Sequence, residues 1–393
     1  MTSKTDLIDM LDEDLIVELT SRLVEIPSEN PPGDEAACAR FIHDTLRDWG
    51  VEVELVHKPF ADRPQVVAWH RGRGNGPVFM LNGHMDTVPA DPALWRHPPH
   101  EAVIEDGRLY GLGSCDMKGS LANAMAILKA LKDADIETSG TLMTQFVIGE
   151  ETDEPGTKTL LQLGYTGDRA IVMEPTDGQI GPGTRGACWH RVTLTGPVCH
   201  CGLTDAAAPD LMRVLWRFAG KIEAYHQRVS QQRHHLLASP GCRITRMRAG
   251  ETHNSTARNA EMIIDRRMLP HESVDQVRQD LQEMLDGLLA DEPSIGADIA
   301  FVDLNEATET PLDSSVVTGL QRNIREITGQ EARIWGPPYG CDMRNFVADA
   351  GIPTVNYGAG DFRRCHQPDE FVPVADLVRV GRVTFGMVLD NIL

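Results

Sequence analysis

Five sites in this sequence place an acidic or histidine side chain where a short apolar segment ends. The sites are Gly83-His84-Met85-Asp86, Cys115-Asp116-Met117, Gly149-Glu150-Glu151, Met173-Glu174-Pro175 and His366-Gln367-Pro368. Open α/β sheets bind ligands at the carboxyl ends of their strands, so we expect these side chains to converge. Carboxylates and imidazoles are ligands of divalent metal ions. The pattern therefore predicts a metal site.

Each side chain taken alone has a purely structural explanation. Asp116 could cap a helix, Glu150 and Glu151 could lie in a solvated loop, and His84 could be a buried histidine bonded to a carbonyl. Taken together these explanations are weaker. Several carboxylates placed just beyond apolar strands are electrostatically costly unless cations neutralise them. We therefore favour the metal site.

The same sites lie in longer motifs that together are highly specific. These motifs are Gly83-His84-Met85-Asp86-Thr87-Val88-Pro89, Asp116-Met117-Lys118-Gly119, Gly149-Glu150-Glu151, Met173-Glu174-Pro175-Thr176 and His366-Gln367-Pro368-Asp369-Glu370. In order and spacing they resemble a family of zinc metallohydrolases, and the resemblance spans almost the whole chain. The family includes aminoacylase, acetylornithine deacetylase, succinyl-diaminopimelate desuccinylase and carboxypeptidase G.

The resemblance implies two divalent metal ions per subunit. Asp116 would bridge them, His84 and Glu174 would complete one position, and Glu151 and His366 the other. Zinc is the favoured metal, with manganese and cobalt as alternatives. Such a pair of ions activates water and polarises the bond to be cleaved.

Two further carboxylates near the ligands have predicted catalytic roles. Asp86 lies two residues beyond His84, so in an extended chain both side chains share one face. We expect the Asp86 carboxylate to orient the imidazole of His84. By resemblance, Glu150 is the general base that takes a proton from the attacking water and passes it to the leaving nitrogen.

The resemblance also implies substrate contacts outside the metal ligands. His200 corresponds to a histidine of the family's lid that donates a hydrogen bond to the oxyanion. Asn254, Arg267 and Gly340 are the predicted substrate-binding residues. The adjacent Cys199-His200-Cys201 run could suggest a metal cluster, but ligands so close in sequence wrap one ion poorly.

Several positions depart from the family pattern, and all lie on the substrate side. Leu112 stands where the family usually has Arg, Ala257 where it has Pro, and Tyr339-Gly340-Cys341-Asp342 where it has Gly-Gly-Thr-Asp. The last of these loops commonly binds the substrate carboxylate in the family. The departures therefore put the substrate, rather than the chemistry, in question.

Three functions follow from these observations. The leading one is hydrolysis of a C–N bond, most simply deacylation of an N-acyl amino acid or related amide. The altered 337–342 loop motivates an alternative, which is hydrolytic deamination or deacylation of a non-peptidic aromatic amine or amide. A non-catalytic metal-binding protein is a third possibility, and retention of Glu150 argues against it.

The elements that must position these residues alternate between helix and strand. Apolar residues recur at helical spacing from Leu15 to Leu23 and from Phe41 to Trp49. Strand patterns occur at 51–56, 66–69, 78–81, 141–148 and 170–173, with a helix at 118–131. We expect an α/β fold with a central, mostly parallel sheet flanked by helices.

The middle of the chain has a different order of elements. It reads as strand 187–195, helix 207–228, strands 242–249 and 260–268, helix 272–290 and strand 297–303. This βαββαβ order is ferredoxin-like and forms a complete small sheet. We predict a catalytic metal-binding domain at 1–184 and 306–393, with an inserted lid and dimerisation domain at 185–305. By resemblance the protein is a homodimer through that lid.

Composition excludes several classes of protein. The chain has 393 residues, enough for two domains, and a formal net charge of −21. This charge repels phosphate backbones and anionic lipid, so nucleic acid and membrane are not expected partners. A small molecule is the expected binding partner. The polar segment from Met1 to Glu13 lacks a secretory pattern, and the eight scattered cysteines suggest reduced thiols, which predicts a cytoplasmic protein.

Overall fold

The computed structural model describes residues 3–203 and 209–393. The chain divides into two compact units. Unit 1 consists of Met1–Gly183, Glu309–Trp335 and Cys341–Leu393, and unit 2 consists of Thr184–Thr308 and Gly336–Gly340. The five residues Gly336–Gly340 belong to unit 2, whereas the domain limits expected from sequence place them in the catalytic domain.

Helices and strands are numbered here in chain order. They are α1 Lys4–Ile8, α2 Glu13–Val24, α3 Ala36–Asp48, β1 Glu52–Val56, β2 Gln65–His70, β3 Val78–His84, β4 Val103–Glu105, β5 Arg108–Tyr110, α4 Gly119–Ala134, β6 Thr141–Val147, α5 Pro155–Gln162, β7 Arg169–Pro175, β8 Gly183–Thr184, β9 Gly186–Thr195, α6 Leu211–Val229, β10 Gly241–Ala249, β11 Asn259–Met268, α7 Val274–Leu289, β12 Gly296–Asn305, β13 Thr308–Glu309, α8 Ser315–Thr328, β14 Thr354–Gly358, β15 Phe371–Pro373 and α9 Val374–Ile392. Shorter helical turns lie at Pro92–Leu94, Ser114–Lys118, Cys201–Leu203, Asn345–Asp349 and Phe362–Arg364.

Unit 1 is built on a six-stranded sheet with the order β1-β2-β6-β3-β7-β14. Strands β6, β3, β7 and β14 run parallel, whereas β1 and β2 form an antiparallel edge. Almost every side chain of the parallel strands is buried, as expected for a sheet covered on both faces. The predicted α/β architecture with a mostly parallel central sheet is confirmed.

Helix α4 is the central helix of unit 1. It is rich in Ala, Leu and Met, which are strong helix formers, and buried side chains occur all along it. It contacts α2, α9 and strand β3. Its first residue is Gly119, where an added Cβ would lie 2.6 Å from the Ser114 carbonyl oxygen and 2.6 Å from Leu377 Cδ2. Glycine therefore permits the tight turn that precedes the helix.

Unit 2 has a four-stranded antiparallel sheet with the order β10-β11-β9-β12. Helices α6 and α7 pack against it and enclose a second apolar core. This is the βαββαβ arrangement expected from the sequence. Helix α6 starts at Leu211, and the Asp210 side chain caps it by accepting a hydrogen bond from Arg213 N. The helix predicted from sequence began at 207, and residues 207 and 208 lie outside the described residues. No helix within 3–203 or 209–393 has the length and apolarity needed to cross a bilayer.

Candidate metal centre

Neighbouring strands bring the predicted ligands of unit 1 to one edge of the sheet. His84 ends β3, Glu150 and Glu151 follow β6, and Glu174 lies near the end of β7. Parallel pairing sets His84 opposite Val147, so these strand ends meet. Asp116 lies in the turn before α4, and the Asp116–Met117 peptide bond is cis.

Asp116 lies between the two histidines. Its Oδ1 is 3.1 Å from His84 Nε2, and its Oδ2 is 3.5 Å from His366 Nε2. Glu174 Oε1 is 3.8 Å from His84 Nε2, and Glu151 Oε2 is 3.0 Å from His366 Nε2. Each oxygen of one carboxylate therefore faces a different histidine, which is the arrangement that a bridging ligand requires.

Three sets of side chains in this cluster have ligand atoms within 4.8 Å of one another. They are His84 with Asp116 and Glu174, Asp116 with Glu151 and His366, and His84 with Glu150 and Glu151. The first two match the sets expected from the resemblance. The third brings in Glu150, whose Oε2 is 3.9 Å from His84 Nε2. Glu150 thus lies beside the predicted ligands.

The contact between Asp86 and His84 differs from the expected one. His84 Nδ1 is 2.9 Å from the backbone oxygen of Asp86 but 3.6 Å from its carboxylate. The fully buried carboxylate instead accepts hydrogen bonds from the backbone N–H groups of Glu150 and Glu151, at 3.2 and 3.1 Å, and from Asn30 Nδ2 at 2.9 Å. Three donors draw the carboxylate away from the imidazole. Asp86 therefore orients His84 through its carbonyl and fixes the Glu150 turn through its side chain.

Two buried side chains that sequence reasoning did not single out hold the Asp116 turn. Glu370 Oε1 accepts the N–H groups of Cys115 and Asp116, at 2.9 and 3.0 Å. Lys118, also fully buried, donates from Nζ to the Ile26 carbonyl at 2.7 Å. Glu370 belongs to the motif that begins at His366, so its position in that motif was the only indication of this role.

The pKa values of the cluster are strongly perturbed. Burial raises the pKa of Glu150, Glu151 and Glu174, and neighbouring carboxylates raise it further. Burial also acts on Asp116, but hydrogen bonds from His366 and His84 outweigh it and lower the pKa of that carboxyl. Hydrogen bonds to Asp116 and Glu151 raise the pKa of His366 to about 10. His366 is thus protonated at neutral pH in the metal-free cluster.

These features fit a pair of divalent cations. The proton on His366 supplies positive charge where an ion would, and the buried Glu174 Oε1 has no hydrogen-bond partner among the described residues. Nitrogen and oxygen donors of this kind suit zinc and its neighbours in the transition series. The residues present are therefore suited to hold such ions.

We expect metal uptake to release protons and to strengthen as pH rises. His366, whose pKa is raised to about 10, is protonated at pH 7 in the metal-free cluster, and the raised pKa values of the three glutamates also favour protonation, whereas metal ligation requires the deprotonated forms. Isothermal titration calorimetry of zinc binding, in buffers of different ionisation enthalpy, should show at least about one proton released per chain. An observed enthalpy independent of the buffer would contradict this.

The remaining predicted residues lie in unit 2, and each has local partners. His200 is exposed, and its Nδ1 accepts from Gly202 N at 3.0 Å. The backbone oxygen of Asn254 accepts from Cys201 N at 2.9 Å. Arg267 forms two bonds to the Asp265 carboxylate, at 2.8 and 2.9 Å. A substrate anion at Arg267 would therefore compete with Asp265.

The altered 337–342 loop belongs to unit 2 as far as Gly340 and to unit 1 from Cys341 onward. A Cβ on Gly340 would lie 2.2 Å from Asn305 Oδ1, so a larger residue there would have to displace the Asn305 side chain. Cys341 is buried and donates from Sγ to Asn356 Oδ1 at 3.3 Å. Burial, followed by the charge of Glu154, raises the pKa of Asp342 to about 8. Cys341 and Asp342 are thus buried in the interior of unit 1.

Comparison with known proteins shows relatives along nearly the whole chain. N-formyl-4-amino-5-aminomethyl-2-methylpyrimidine deformylase of Halalkalibacterium halodurans is 28% identical over 418 residues, covering 98% of this chain and 95% of that protein. Acetylornithine deacetylase of Myxococcus xanthus is 30% identical over 329 residues, covering 82% of each. The structure of a dinuclear metal-binding peptidase of Bacillus subtilis superposes with a TM-score of 0.75 at 17% identity, covering 96% of this chain and 99% of that one.

The model of one protein family matches residues 80–390, a range that includes all six side chains of the cluster. The predicted class, a hydrolase of amide bonds, agrees with the deformylase and deacetylase relatives. The chain therefore belongs to peptidase family M20/M25/M40, whose members are metal-dependent hydrolases of amide bonds.

Proposed function

We propose that this hydrolase releases an amino acid or amine from a small N-acyl compound. The observation that carries the proposal is the position of Asp116, with one oxygen toward His84 and the other toward His366, beside the unshared carboxylate of Glu150. A purely structural metal site has no use for such a base. The acetylornithine deacetylase relative supports deacylation as the reaction.

Two divalent ions would be held by the five predicted ligands. His84 and Glu174 would serve one position, Glu151 and His366 the other, and Asp116 both. Ions bound there would lower the pKa of water and polarise the substrate carbonyl. Zinc is the metal we favour, and elemental analysis of the purified protein identifies it against manganese and cobalt.

Glu150 is the proposed general base. Its burial and the negative charge of Glu174 raise its pKa, which makes it a stronger base than an exposed glutamate. Its Oε2 accepts a proton from the attacking water and then donates that proton to the leaving nitrogen. The Asp86 carboxylate positions this residue by binding its backbone N–H.

His200 is the proposed oxyanion donor, and we propose that it acts on the partner subunit's site in a homodimer formed through unit 2. The outer strand β12 has exposed apolar side chains, including Phe301, which is 51% exposed, and Trp216 on α6 is 79% exposed. Large exposed apolar side chains of this kind are typical of an interface. A C2 dimer would present each His200 to the site of its partner.

The free cysteines and the charge of −21 favour a cytoplasmic enzyme acting on a small molecule.

We expect His200→Ala to lower kcat by about 10²- to 10³-fold with little change in substrate affinity, because one oxyanion donor is lost. The neighbouring His253→Ala is the matched control and should retain activity. Mixing His200→Ala with Glu150→Gln subunits should restore activity, since each mixed dimer regains one complete site. Lack of recovery after subunit exchange would place His200 in its own subunit's site or outside catalysis.

A second substrate class has its own support. The altered 337–342 loop and the pyrimidine deformylase relative both favour a non-peptidic aromatic amide. A panel of N-acyl amino acids, formylated aromatic amines and free aromatic amines separates the candidates, with carboxylic acid and ammonia release measured in parallel. Acid release from the N-acyl amino acids supports the main proposal. Turnover of none of the amides would refute deacylation.

A further inference from the structure

Two cysteines stand directly before two of the proposed metal ligands. Cys115 precedes Asp116 and Cys365 precedes His366, and the two cysteines are 250 residues apart in the sequence. Their sulfur atoms are nevertheless only 3.8 Å apart. Both thiols are free. The fold therefore places an oxidisable pair next to the metal centre.

The two cysteines are held very differently. Cys115 is fully buried, its N–H is bonded to Glu370, and its Sγ donates to the Asp361 carbonyl at 3.5 Å. Gly360 packs so closely that an added Cβ would lie 2.4 Å from this sulfur. Cys115 therefore has little room to move.

Cys365 lies in the less enclosed segment. It follows the short turn Phe362–Arg364, is partly exposed, and precedes His366, whose backbone has a φ of +60° and whose side chain is 52% exposed. An oxidant in solution can reach Cys365 more readily than Cys115. Any approach of the two sulfurs would mainly displace Cys365.

We propose that Cys115 and Cys365 form a peroxide-driven disulfide that weakens metal binding at Asp116, Glu151 and His366. The proposal rests on the metal centre described under the proposed function. Hydrogen peroxide oxidises the Cys365 thiol to a sulfenic acid and releases water. The Cys115 sulfur then attacks the Cys365 sulfur, the S–O bond breaks and a second water leaves. Two thiols and one peroxide thus give one disulfide and two waters.

The covalent bond would disturb the ligands because of its length. A disulfide has an S–S distance of about 2.05 Å, so the sulfurs must approach by roughly 1.8 Å from their present 3.8 Å. With Cys115 confined, this displacement is transmitted to His366, which is bonded to Cys365. Metal–ligand distances in well-formed sites lie within about 0.2 Å of their standard values, a range much smaller than this displacement. The position shared by Asp116, Glu151 and His366 is therefore the one affected.

The same thermodynamic coupling also acts in the other direction, from metal binding to disulfide formation. If the disulfide lowers metal affinity, bound metal must disfavour the disulfide by the same factor. We expect peroxide to cross-link the reduced, metal-free protein, and in a glutathione redox buffer we expect bound zinc to lower the equilibrium constant for disulfide formation at least about tenfold. Peptide mass spectrometry after alkylation of the remaining thiols measures the cross-link independently of activity.

The oxidised protein, freed of peroxide, is then titrated with zinc. We expect one of the two zinc positions to weaken at least about tenfold and to recover after dithiothreitol treatment. Cys365→Ser should form no cross-link and should keep its zinc affinity after peroxide. Cys201→Ser, which removes an exposed thiol of unit 2, is the matched control and should behave like the unmodified protein.

The outcomes distinguish the two proposals. Absence of a Cys115–Cys365 peptide, or equal zinc affinity of the oxidised and reduced forms, overturns the proposed disulfide control. If the reduced protein itself binds no zinc, the proposed metal centre fails and the coupling fails with it. The peptide masses then still decide whether the disulfide forms.

Discussion

Glu150→Gln is expected to lower kcat by about 10²- to 10⁴-fold while leaving the metal content near that of the unmodified protein. The amide keeps the shape of the side chain and its backbone bond to Asp86, but it cannot accept a proton from water. Steady-state kinetics on the substrate found by the panel, together with elemental analysis, measure both effects. A loss of kcat with retained metal identifies the base.

The control for this variant is Glu101→Gln, which removes a carboxylate from an exposed position of the same unit. It should retain full activity and full metal content. If Glu150→Gln kept most of its kcat, the proton would have to be moved by another group. If it lost metal, Glu150 would be a ligand, as its proximity to His84 permits.

Asp116→Asn is expected to abolish both metal binding and activity. Each oxygen of this carboxylate faces a different histidine, so one substitution acts at both metal positions. Replacing a residue that merely supports a ligand typically costs about 10- to 100-fold in metal affinity, and loss of a bridging ligand should exceed that at each position. Zinc titration and elemental analysis measure the loss.

Glu151→Gln is the matched variant for Asp116→Asn. It removes a carboxylate whose oxygen lies 3.0 Å from His366 Nε2 and which is a proposed ligand of one position only, so one of the two ions should be retained. Loss of a single ion from Asp116→Asn, with the other bound normally, would show that Asp116 does not bridge. Equal losses in both variants would also contradict the assignment.

The strands that deliver the ligands were predictable from sequence because buried parallel strands are continuous apolar runs. Val78–Leu81 and Ala170–Met173 both end just before a ligand, and the structure extends each by only a few residues. The order of strands in the sheet could not be predicted in this way. Pairing of β2 with β6 depends on contacts between residues that are far apart in the sequence.

The residues that support the ligands were harder to predict for the same reason. Asn30 meets Asp86 across 56 positions, and Glu370 meets Cys115 across 255. A single buried Asn or Glu has no periodic pattern that marks its partner. The role of the Asp86 carbonyl was missed because backbone groups are present at every position and carry no compositional signal.

Helix α4 gives the two sides of the metal centre different resistance to local opening. Its side chains are largely buried, and it begins directly after the turn that contains Asp116, so we expect its amide hydrogens to exchange slowly with solvent. The segment around His366 is more exposed, so we expect its amide hydrogens to exchange faster. Asp116 is therefore expected to remain fixed during local fluctuations that displace His366.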